Sequence, residues 1–191
     1  KNKRIKLLNI SLDLKNSYNL QNILAAYVVC KYFKIPIKYF SKSIKDFKGL
    51  PYRSLPIHNS KSKLIINNSK ATNISSALST LENKKNIFLI LGGIAKEDGF
   101  NKFNKFRKHI DQVYIYGKSR FKIKNQINLP KISIIKKNLQ EVIHTLWNDI
   151  SDKDNKVTII FAPACASFDQ FENFEKRGAY FNQLILNKLK K

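Results

Sequence analysis

The chain alternates short apolar runs with longer stretches in which apolar residues recur every three or four positions. The short runs predict buried strands at 63–67, 87–91, 112–116, 131–135 and 157–161. The periodic stretches predict helices at 74–83, 100–110, 120–126, 139–149 and 169–188. This alternation predicts an α/β, Rossmann-like fold, with a mainly parallel sheet and helices on both faces. In such sheets, ligands bind beyond the carboxyl ends of the strands.

The first 48 residues follow a different pattern. Residues 5–14 alternate loosely and predict a strand, whereas 19–33 and 37–47 have helical spacing. The sequence Gly49-Leu50-Pro51 then combines a helix terminator with a residue that cannot continue a helix. We therefore predict a boundary that divides the chain into 1–48 and 49–191. The first part is too short to fold alone, which indicates the end of another domain.

The composition is strongly basic, with 36 Lys and Arg against 13 Asp and Glu and a formal net charge of +23. A charge of this size suits a nucleic-acid-binding protein. However, only five of the basic residues are Arg, and the lysines are spread over the whole chain. We interpret them as a solvated surface and expect no nucleic-acid partner. A non-catalytic, basic nucleic-acid-binding module is the alternative from another functional class.

Cysteine and methionine usage adds two expectations. Cys30 and Cys165 lie far apart without metal-type neighbours, so we expect no disulfide scaffold, no metal site and a cytoplasmic location. No apolar run is long enough to cross a membrane, so no membrane partner is expected. Methionine is absent, and we expect that Lys1 is not the natural start of the protein.

Small residues follow the last predicted strand, in the sequence VTIIFAPACASFDQFENFEKRGAYF at 157–181. Ser167 with Gln170 three positions later forms a capping-box pattern, which predicts a helix beginning at Ser167. The free backbone N–H groups of that first turn would attract an anion. The small residues would let a ligand approach the backbone.

Two further motifs follow predicted strands, NNSKATN at 67–73 and GGIAK at 92–96. Taken alone, Thr72 or Asn73 is a helix N-cap and Lys96 is a surface lysine. Together with Ser167, however, they place two hydroxyls and an ammonium at the carboxyl ends of three strands. These groups suit an acidic amino acid with two carboxylates.

The three motifs resemble signatures of the Mur ligase family of peptidoglycan synthesis, in particular of its D-glutamate-adding members. Two weaker similarities extend the resemblance to most of the chain: YNLQN at 18–22 resembles the family's HNxxN, and LPYR at 50–53 resembles LPHR. The resemblance implies that 49–191 are the carboxyl-terminal, glutamate-binding domain. It also implies that 1–48 are the tail of the central ATP-binding domain.

The resemblance also implies residue roles. It assigns D-glutamate binding to Thr72, Lys96, Ser167, Phe168 and Phe174. It assigns ATP binding to Asn22, Arg53 and Asn68, where Asn68 replaces a family acid that helps to hold the ribose. No catalytic residue and no metal ligand are implied within this chain.

The implied reaction joins D-glutamate to UDP-N-acetylmuramoyl-L-alanine through an acyl phosphate formed with ATP. Mg²⁺ would take part, with its ligands, the phosphate loop and the UDP-sugar pocket upstream of this chain. The chain alone is expected to be an inactive fragment of a monomeric enzyme. Another Mur or folylpolyglutamate-type ligase is the nearer alternative, although PACASFDQF favours D-glutamate.

Overall fold

The computed structural model of the chain describes residues 17–129, 133–151, 153 and 155–190. The chain divides into two compact units between Leu50 and Pro51, two residues from the predicted boundary. The strand predicted at 5–14 lies outside the described residues. The strand predicted at 131–135 is described only from Ser133 onwards.

The first unit contains two helices, α1 (Ser17–Tyr32) and α2 (Ile37–Asp46). Ile23 and Phe40 are buried between them, and the ring of Tyr27 packs edge-on against Phe40 at 5.4 Å. The remaining large apolar side chains of this unit are mostly exposed: Leu20, Leu24, Val28, Val29, Tyr32, Phe33, Ile35, Ile37, Tyr39, Phe47 and Leu50. The described helices therefore present an extended apolar surface.

The second unit is built on a six-stranded sheet. Its strands are β1 (Leu55–Asn59), β2 (Lys63–Asn67), β3 (Ile87–Gly92), β4 (Ile110–Tyr116), β5 (Ser133–Ile135) and β6 (Val157–Phe161). The order in the sheet is β1-β2-β6-β3-β4-β5; β1 is antiparallel to β2, and every other neighbouring pair is parallel. The predicted α/β fold with a mainly parallel sheet is confirmed. The edge strand β1 is absent from the prediction because Pro56 and His58 interrupt its apolar pattern.

Helices cover both faces of this sheet. They are α3 (Ile74–Leu81), α4 (Arg120–Gln126), α5 (Leu139–Asp149) and α6 (Phe174–Leu189), together with a 3₁₀-helix at Phe100–Phe106. The fully buried strand β3 sends Leu89 and Leu91 into the core under α3 and α4. It sends Phe88 and Ile90 into the core under α5 and α6, as the two-residue period of a strand requires.

The helix predicted at 100–110 is wrong. The segment forms the 3₁₀-helix, and β4 already begins at Ile110. Phe100 and Phe103 are both buried and their rings stack at 6.3 Å. A spacing of three residues fits one face of a 3₁₀-helix as well as of an α-helix, so periodicity alone could not separate the two.

The predicted start of the last helix at Ser167 is also wrong. Helix α6 begins at Phe174, and its N-cap is Asn173, whose side chain accepts a hydrogen bond from the Lys176 N–H at 2.7 Å. Ser167 opens a single turn in which its carbonyl accepts the Gln170 and Phe171 N–H groups. The Gln170 side chain does not cap that turn, because it donates instead to the Lys137 carbonyl at 2.8 Å.

Both cysteines are free thiols. Within the described residues, no helix combines the length and the apolar character needed to cross a membrane.

Candidate functional site

Four loops meet at one edge of the second unit. Strands β2, β6, β3 and β4 are parallel neighbours, so their carboxyl ends lie side by side. We call the segments that follow them the β2 loop (68–73), the β6 loop (162–173), the β3 loop (93–99) and the β4 loop (117–119). Three residues predicted to bind D-glutamate lie on three of these loops: Thr72, Lys96 and Ser167.

The β3 and β6 loops are joined by a short antiparallel bridge. Ile94 and Ala166 exchange two backbone hydrogen bonds, each of 2.9 Å. Gly93 lies at a φ of 124°, and a Cβ atom there would collide with the Ala166 carbonyl oxygen. The motif therefore needs glycine at this position for both conformation and close approach. The bridge places Lys96 two residues after Ile94 and Ser167 one residue after Ala166.

Arg177 on α6 links the β2 and β6 loops through hydrogen bonds to both. Its side chain is completely buried. Its Nε donates to the Ser69 hydroxyl at 3.0 Å, its Nη2 to the Ser69 carbonyl at 2.8 Å, and its Nη1 to the Cys165 carbonyl at 3.0 Å. No sequence pattern assigned a role to Arg177. The scarcity of arginine in a lysine-rich chain was the signal that could have indicated it, because arginine alone supplies a rigid, forked set of donors.

The β4 loop contacts both neighbouring loops. The Ser119 N–H donates to the Gly93 carbonyl at 3.0 Å, and the Ser119 hydroxyl accepts the Ala95 N–H at 3.0 Å. The Lys118 N–H donates to Asp169 Oδ2 at 2.8 Å. Sequence patterns gave no reason to single out Ser119 or Asp169 for this position.

The residues predicted to bind D-glutamate differ in exposure. Ser167 is 2% exposed, Thr72 is half-buried and Lys96 is exposed. Phe174 is half-buried, with the Lys70 ammonium 4.2 Å from its ring centroid, whereas Phe168 is 69% exposed. The loops that carry Lys96 and Ser167 are directly bonded to each other, and Phe174 is bonded to the β2 loop by its carbonyl, which accepts the Ser69 hydroxyl at 2.8 Å.

Thr72 is not the cap of α3. That position belongs to Asn73, whose side chain accepts the Ser76 N–H at 2.9 Å. The Ile74 N–H donates to Glu97 Oε1 of the β3 loop at 2.8 Å. The N–H groups of Ile74 and Ser76 at the helix start are thus bonded to Glu97 and Asn73, and the Thr72 hydroxyl is not needed as a helix cap.

The predicted ATP-binding residues lie in both units. Asn22 is exposed on α1, and Arg53 is exposed at the start of the second unit. Arg53 stands between Tyr52 and Ser54, which both have positive φ values, of 60° and 56°. Asn68 is 6% exposed, and its amide nitrogen donates to the Thr80 hydroxyl at 2.7 Å. The amide oxygen of Asn68 is therefore the group that could accept a hydrogen bond from a ribose hydroxyl.

Tyr52 is held in its unusual conformation from two sides. Its carbonyl accepts the Lys70 N–H at 3.0 Å. Its ring packs so closely against Gly178 of α6 that a Cβ atom there would lie 2.5 Å from the ring. An aromatic residue rarely adopts a positive φ, and these two contacts together hold Tyr52 in this conformation. They also fix the backbone next to Arg53.

The buried titratable groups beneath the loops stay protonated at neutral pH. Burial raises the pKa of the Cys165 thiol to about 12, although the nearby Arg177 charge opposes the shift. Burial likewise raises the pKa of Tyr116, with Arg177 again acting in the opposite direction. Both groups therefore act as packed neutral side chains. Among the residues described, no three His, Cys, Asp or Glu side chains cluster so as to hold a metal ion.

The sequence was compared with known proteins. A scan against models of protein families finds no match. The chain is 34% identical over 173 residues to a UDP-N-acetylmuramoylalanine–D-glutamate ligase of Rickettsia conorii, covering 90% of this chain and 35% of that protein. It is 35% identical over 175 residues to the enzyme of the same name from Hydrogenobaculum, covering 91% of this chain and 42% of that protein. The chain thus spans well under half the length of these relatives.

Solved structures share the fold. A pseudomurein peptide ligase type C from Methanothermus fervidus superposes with a TM-score of 0.64 and 21% identity, covering 90% of this chain and 36% of that one. MurF ligase from Thermotoga maritima, in complex with ADP, gives a TM-score of 0.61 and 18% identity, covering 91% and 40%. At these identities the likeness shows the fold alone.

Proposed function

Because the chain belongs to the Mur ligase family, as a segment homologous to part of the UDP-N-acetylmuramoylalanine–D-glutamate ligases, we propose that it carries the D-glutamate site of such an enzyme. The complete ligase would join D-glutamate to UDP-N-acetylmuramoyl-L-alanine with consumption of ATP. The observation that supports this most directly is the bonding between the loops that carry Lys96 and Ser167. It gathers cationic and hydroxyl groups at the carboxyl ends of neighbouring parallel strands.

The chemistry of these groups suits a dicarboxylate. The exposed Lys96 ammonium would pair with one carboxylate, and the Thr72 and Ser167 hydroxyls would donate hydrogen bonds to carboxylate oxygens. Each charge-assisted hydrogen bond contributes about 1.5–3 kcal/mol. Three of them would hold the amino acid after its ordering cost is met. Phe174 and Phe168 would supply apolar contacts to the methylene groups.

In the reaction, this chain would bind and orient the nucleophile. Holding both carboxylates of D-glutamate fixes the direction of its amine, which must meet the activated alanyl carboxyl group. ATP would supply that activation. An incoming amine that is already oriented loses less entropy at the reacting step, and a closed site excludes competing water.

On the nucleotide side, we assign Arg53 to the ATP phosphates, Asn22 to the adenine and Asn68 to the ribose. The exposed guanidinium of Arg53 fits an anion. Asn68 would accept a ribose hydroxyl through its amide oxygen, while its nitrogen donates one hydrogen bond to Thr80. Mg²⁺ ligands would come from outside this chain.

We assign the first unit to the end of the family's ATP-binding domain and the second to the glutamate-binding domain. The apolar surface of α1 and α2 supports this assignment. Large exposed apolar surfaces on helices usually mark a packing interface, and here that interface would be with the rest of the ATP-binding domain. A cytoplasmic location and a monomeric state stay predictions.

Kinetics of a complete ligase containing these residues test the proposal. Lys96→Ala should lower kcat/KM for D-glutamate about 100- to 1000-fold, because the closed, substrate-bound enzyme would enclose this charge pair and removing one partner of such a pair costs about 2–5 kcal/mol. Lys85→Ala, at another exposed lysine, is the matched control and should change little. Equal effects at both positions would contradict the assignment of Lys96.

Ser167→Ala provides a second arm. It should raise the KM for D-glutamate far more than the KM for ATP, because the hydroxyl would contact only the amino acid. D-glutamate should be strongly preferred over L-glutamate. Equal use of the two enantiomers would favour the alternative of a different amide ligase.

A further inference from the structure

The β4 loop is bonded to both loops that carry the proposed glutamate anchors. Ser119 binds the β3 loop twice, because its N–H donates to the Gly93 carbonyl and its hydroxyl accepts the Ala95 N–H, each at 3.0 Å. These two bonds lie on either side of Ile94. Lys96 follows Ala95 directly, so Ser119 fixes the backbone from which the Lys96 side chain departs.

The same loop binds the turn that contains Ser167. The Lys118 N–H donates to Asp169 Oδ2 at 2.8 Å. The Lys137 carbonyl accepts both the Gly117 N–H at 3.2 Å and the Gln170 side chain at 2.8 Å. Asp169 is two residues from Ser167 and lies in the turn that Ser167 opens.

Gly117 is the point at which the three loops meet. Its φ is +80°, and a Cβ atom there would collide with Asp169 Oδ2 and lie 2.8 Å from the Gly93 backbone nitrogen. Only glycine lets the backbone pass between these groups. The other carboxylate oxygen of Asp169, Oδ1, is buried with no hydrogen-bond partner among the described residues. Asp169 is thus partly buried at this junction, with one carboxylate oxygen bonded to the β4 loop and the other turned away from solvent.

We propose that residues 117–119 set the separation between Lys96 and Ser167 and so select the length of the dicarboxylic amino acid. Ser119 and Asp169 are the positioning residues of this device. The inference rests on the proposed function, because it concerns the same site. Neither residue has to touch the substrate: Ser119 acts through Ala95 on Lys96, and Asp169 acts through its turn on Ser167.

A fixed separation has a specific consequence for substrate choice. On this proposal D-glutamate would reach both anchors at once, whereas D-aspartate, one methylene shorter, and D-2-aminoadipate, one methylene longer, would not. Each of these analogues leaves one carboxylate poorly paired, which costs affinity. Loosening the β4 loop should therefore weaken D-glutamate use more than use of either analogue.

The first test needs no ligand. Amide hydrogen exchange, followed by NMR on the 191-residue chain, should show at least about tenfold faster exchange of the Ala95 amide in Ser119→Ala and of the Lys118 amide in Asp169→Ala, because each loses its acceptor. Asp169→Asn, which keeps an acceptor oxygen, should restore part of the protection. Unchanged exchange at both amides would overturn the proposal whatever the chain binds.

The second test measures selectivity in a complete ligase. In Ser119→Ala and Asp169→Ala, the kcat/KM ratio of D-glutamate to D-aspartate and to D-2-aminoadipate should fall at least about fivefold, with the KM for ATP unchanged. Ser119→Thr, which keeps the hydroxyl, should restore the ratio. Ser133→Ala is the matched control, because its hydroxyl also bonds the backbone, at the Leu129 carbonyl at 2.8 Å, but lies at the start of β5.

A merely structural role gives a different result. If Ser119→Ala lowered the use of all three amino acids by the same factor, the selection of length would be refuted while D-glutamate binding stood. If the wild-type enzyme used no D-glutamate, the proposed function and the selection role would both be wrong. The exchange experiment would then still report whether the β4 loop holds its neighbours.

Discussion

Arg177 donates two hydrogen bonds to Ser69, from Nε to the hydroxyl at 3.0 Å and from Nη2 to the carbonyl at 2.8 Å. The two residues are 108 positions apart in the chain. Since Arg177 also binds the Cys165 carbonyl, a single buried guanidinium holds the ends of β2 and β6 in place. The candidate site therefore stands on a polar support inside the second unit.

Removal of this support should destabilise the second unit. Arg177→Ala leaves two buried carbonyls without their donors, and each such group costs about 1–3 kcal/mol, so a loss of about 3 kcal/mol or more is expected. Arg177→Lys should recover only part, because an ammonium cannot reproduce the fork. Urea unfolding followed by the fluorescence of Trp147, the only tryptophan, reports on this unit. The exposed Arg107 is the control, and Arg107→Ala should leave the free energy of unfolding close to that of the wild type.

Gly178→Ala should also destabilise the second unit. Alanine normally stabilises a helix relative to glycine by up to about 1 kcal/mol. Here the added Cβ would lie 2.5 Å from the Tyr52 ring, and overpacking of this kind costs about 1–3 kcal/mol. The same urea experiment shows whether the stabilising effect of helix propensity or the destabilising effect of the clash is larger. In a double-mutant cycle, Tyr52→Ala should relieve the clash by at least about 1 kcal/mol; additive effects would show that the ring is not the obstacle.

Asn68→Asp tests the ribose assignment against the internal role of this side chain. The introduced carboxylate cannot donate to Thr80, so the Thr80 hydroxyl must turn from the Ser76 carbonyl towards the carboxylate oxygens. We expect a loss of about 1–2 kcal/mol in stability, together with tighter ATP binding by calorimetry of a complete ligase. Thr80→Val should cost similar stability without changing ATP affinity. Weaker ATP binding in Asn68→Asp would count against the ribose assignment.

The second unit should lose stability at alkaline pH. The ordinary pKa of a thiol is 9.0, and burial raises the pKa of Cys165 in the folded chain to about 12. Above pH 9 the unfolded chain releases this proton while the folded chain keeps it, so unfolding becomes easier by about 1.4 kcal/mol per pH unit. Tyr116 adds to the loss above pH 10. Urea midpoints measured from about pH 7 to 10 should fall less in Cys165→Ala; an identical decline would contradict a shifted thiol.

The apolar face of α1 should matter only in the complete enzyme. Leu24 and Val28 are 61% and 58% exposed, so replacing both with Lys should leave hydrogen exchange of α1 unchanged in the 191-residue chain. In a complete ligase the same change should lower the melting temperature, because burying two ammonium groups is costly. Gln21→Lys, at an exposed polar position, is the control. An unaffected melting temperature of the double variant would argue that this face stays uncovered.

The local pattern of the sequence determined most of the elements. Apolar runs are sufficient to specify strands that are buried on both faces, as in β3 and β6, because no other short element hides every residue. The glycine and proline at 49–51 similarly indicated a boundary within two residues of the division between the units. The motifs at 67–73 and 92–96, and the small residues that follow the strand in the stretch 157–181, could be placed at strand ends for the same reason.

Tertiary structure decided the rest, because the deciding partners are distant in the chain. Ser167 and Gln170 have the composition of a capping box, yet Gln170 bonds a carbonyl 33 residues away and Asp169 an amide 51 residues away, so the helix begins after Asn173 instead. The insertion of β6 between β2 and β3 is equally non-local. Local propensity differs by only about a few tenths of a kcal/mol between such starts, whereas each hydrogen bond to a distant backbone group contributes about 0.5–1.5 kcal/mol net. Satisfying those groups, which no local pattern reveals, fixes where the loops of the site lie.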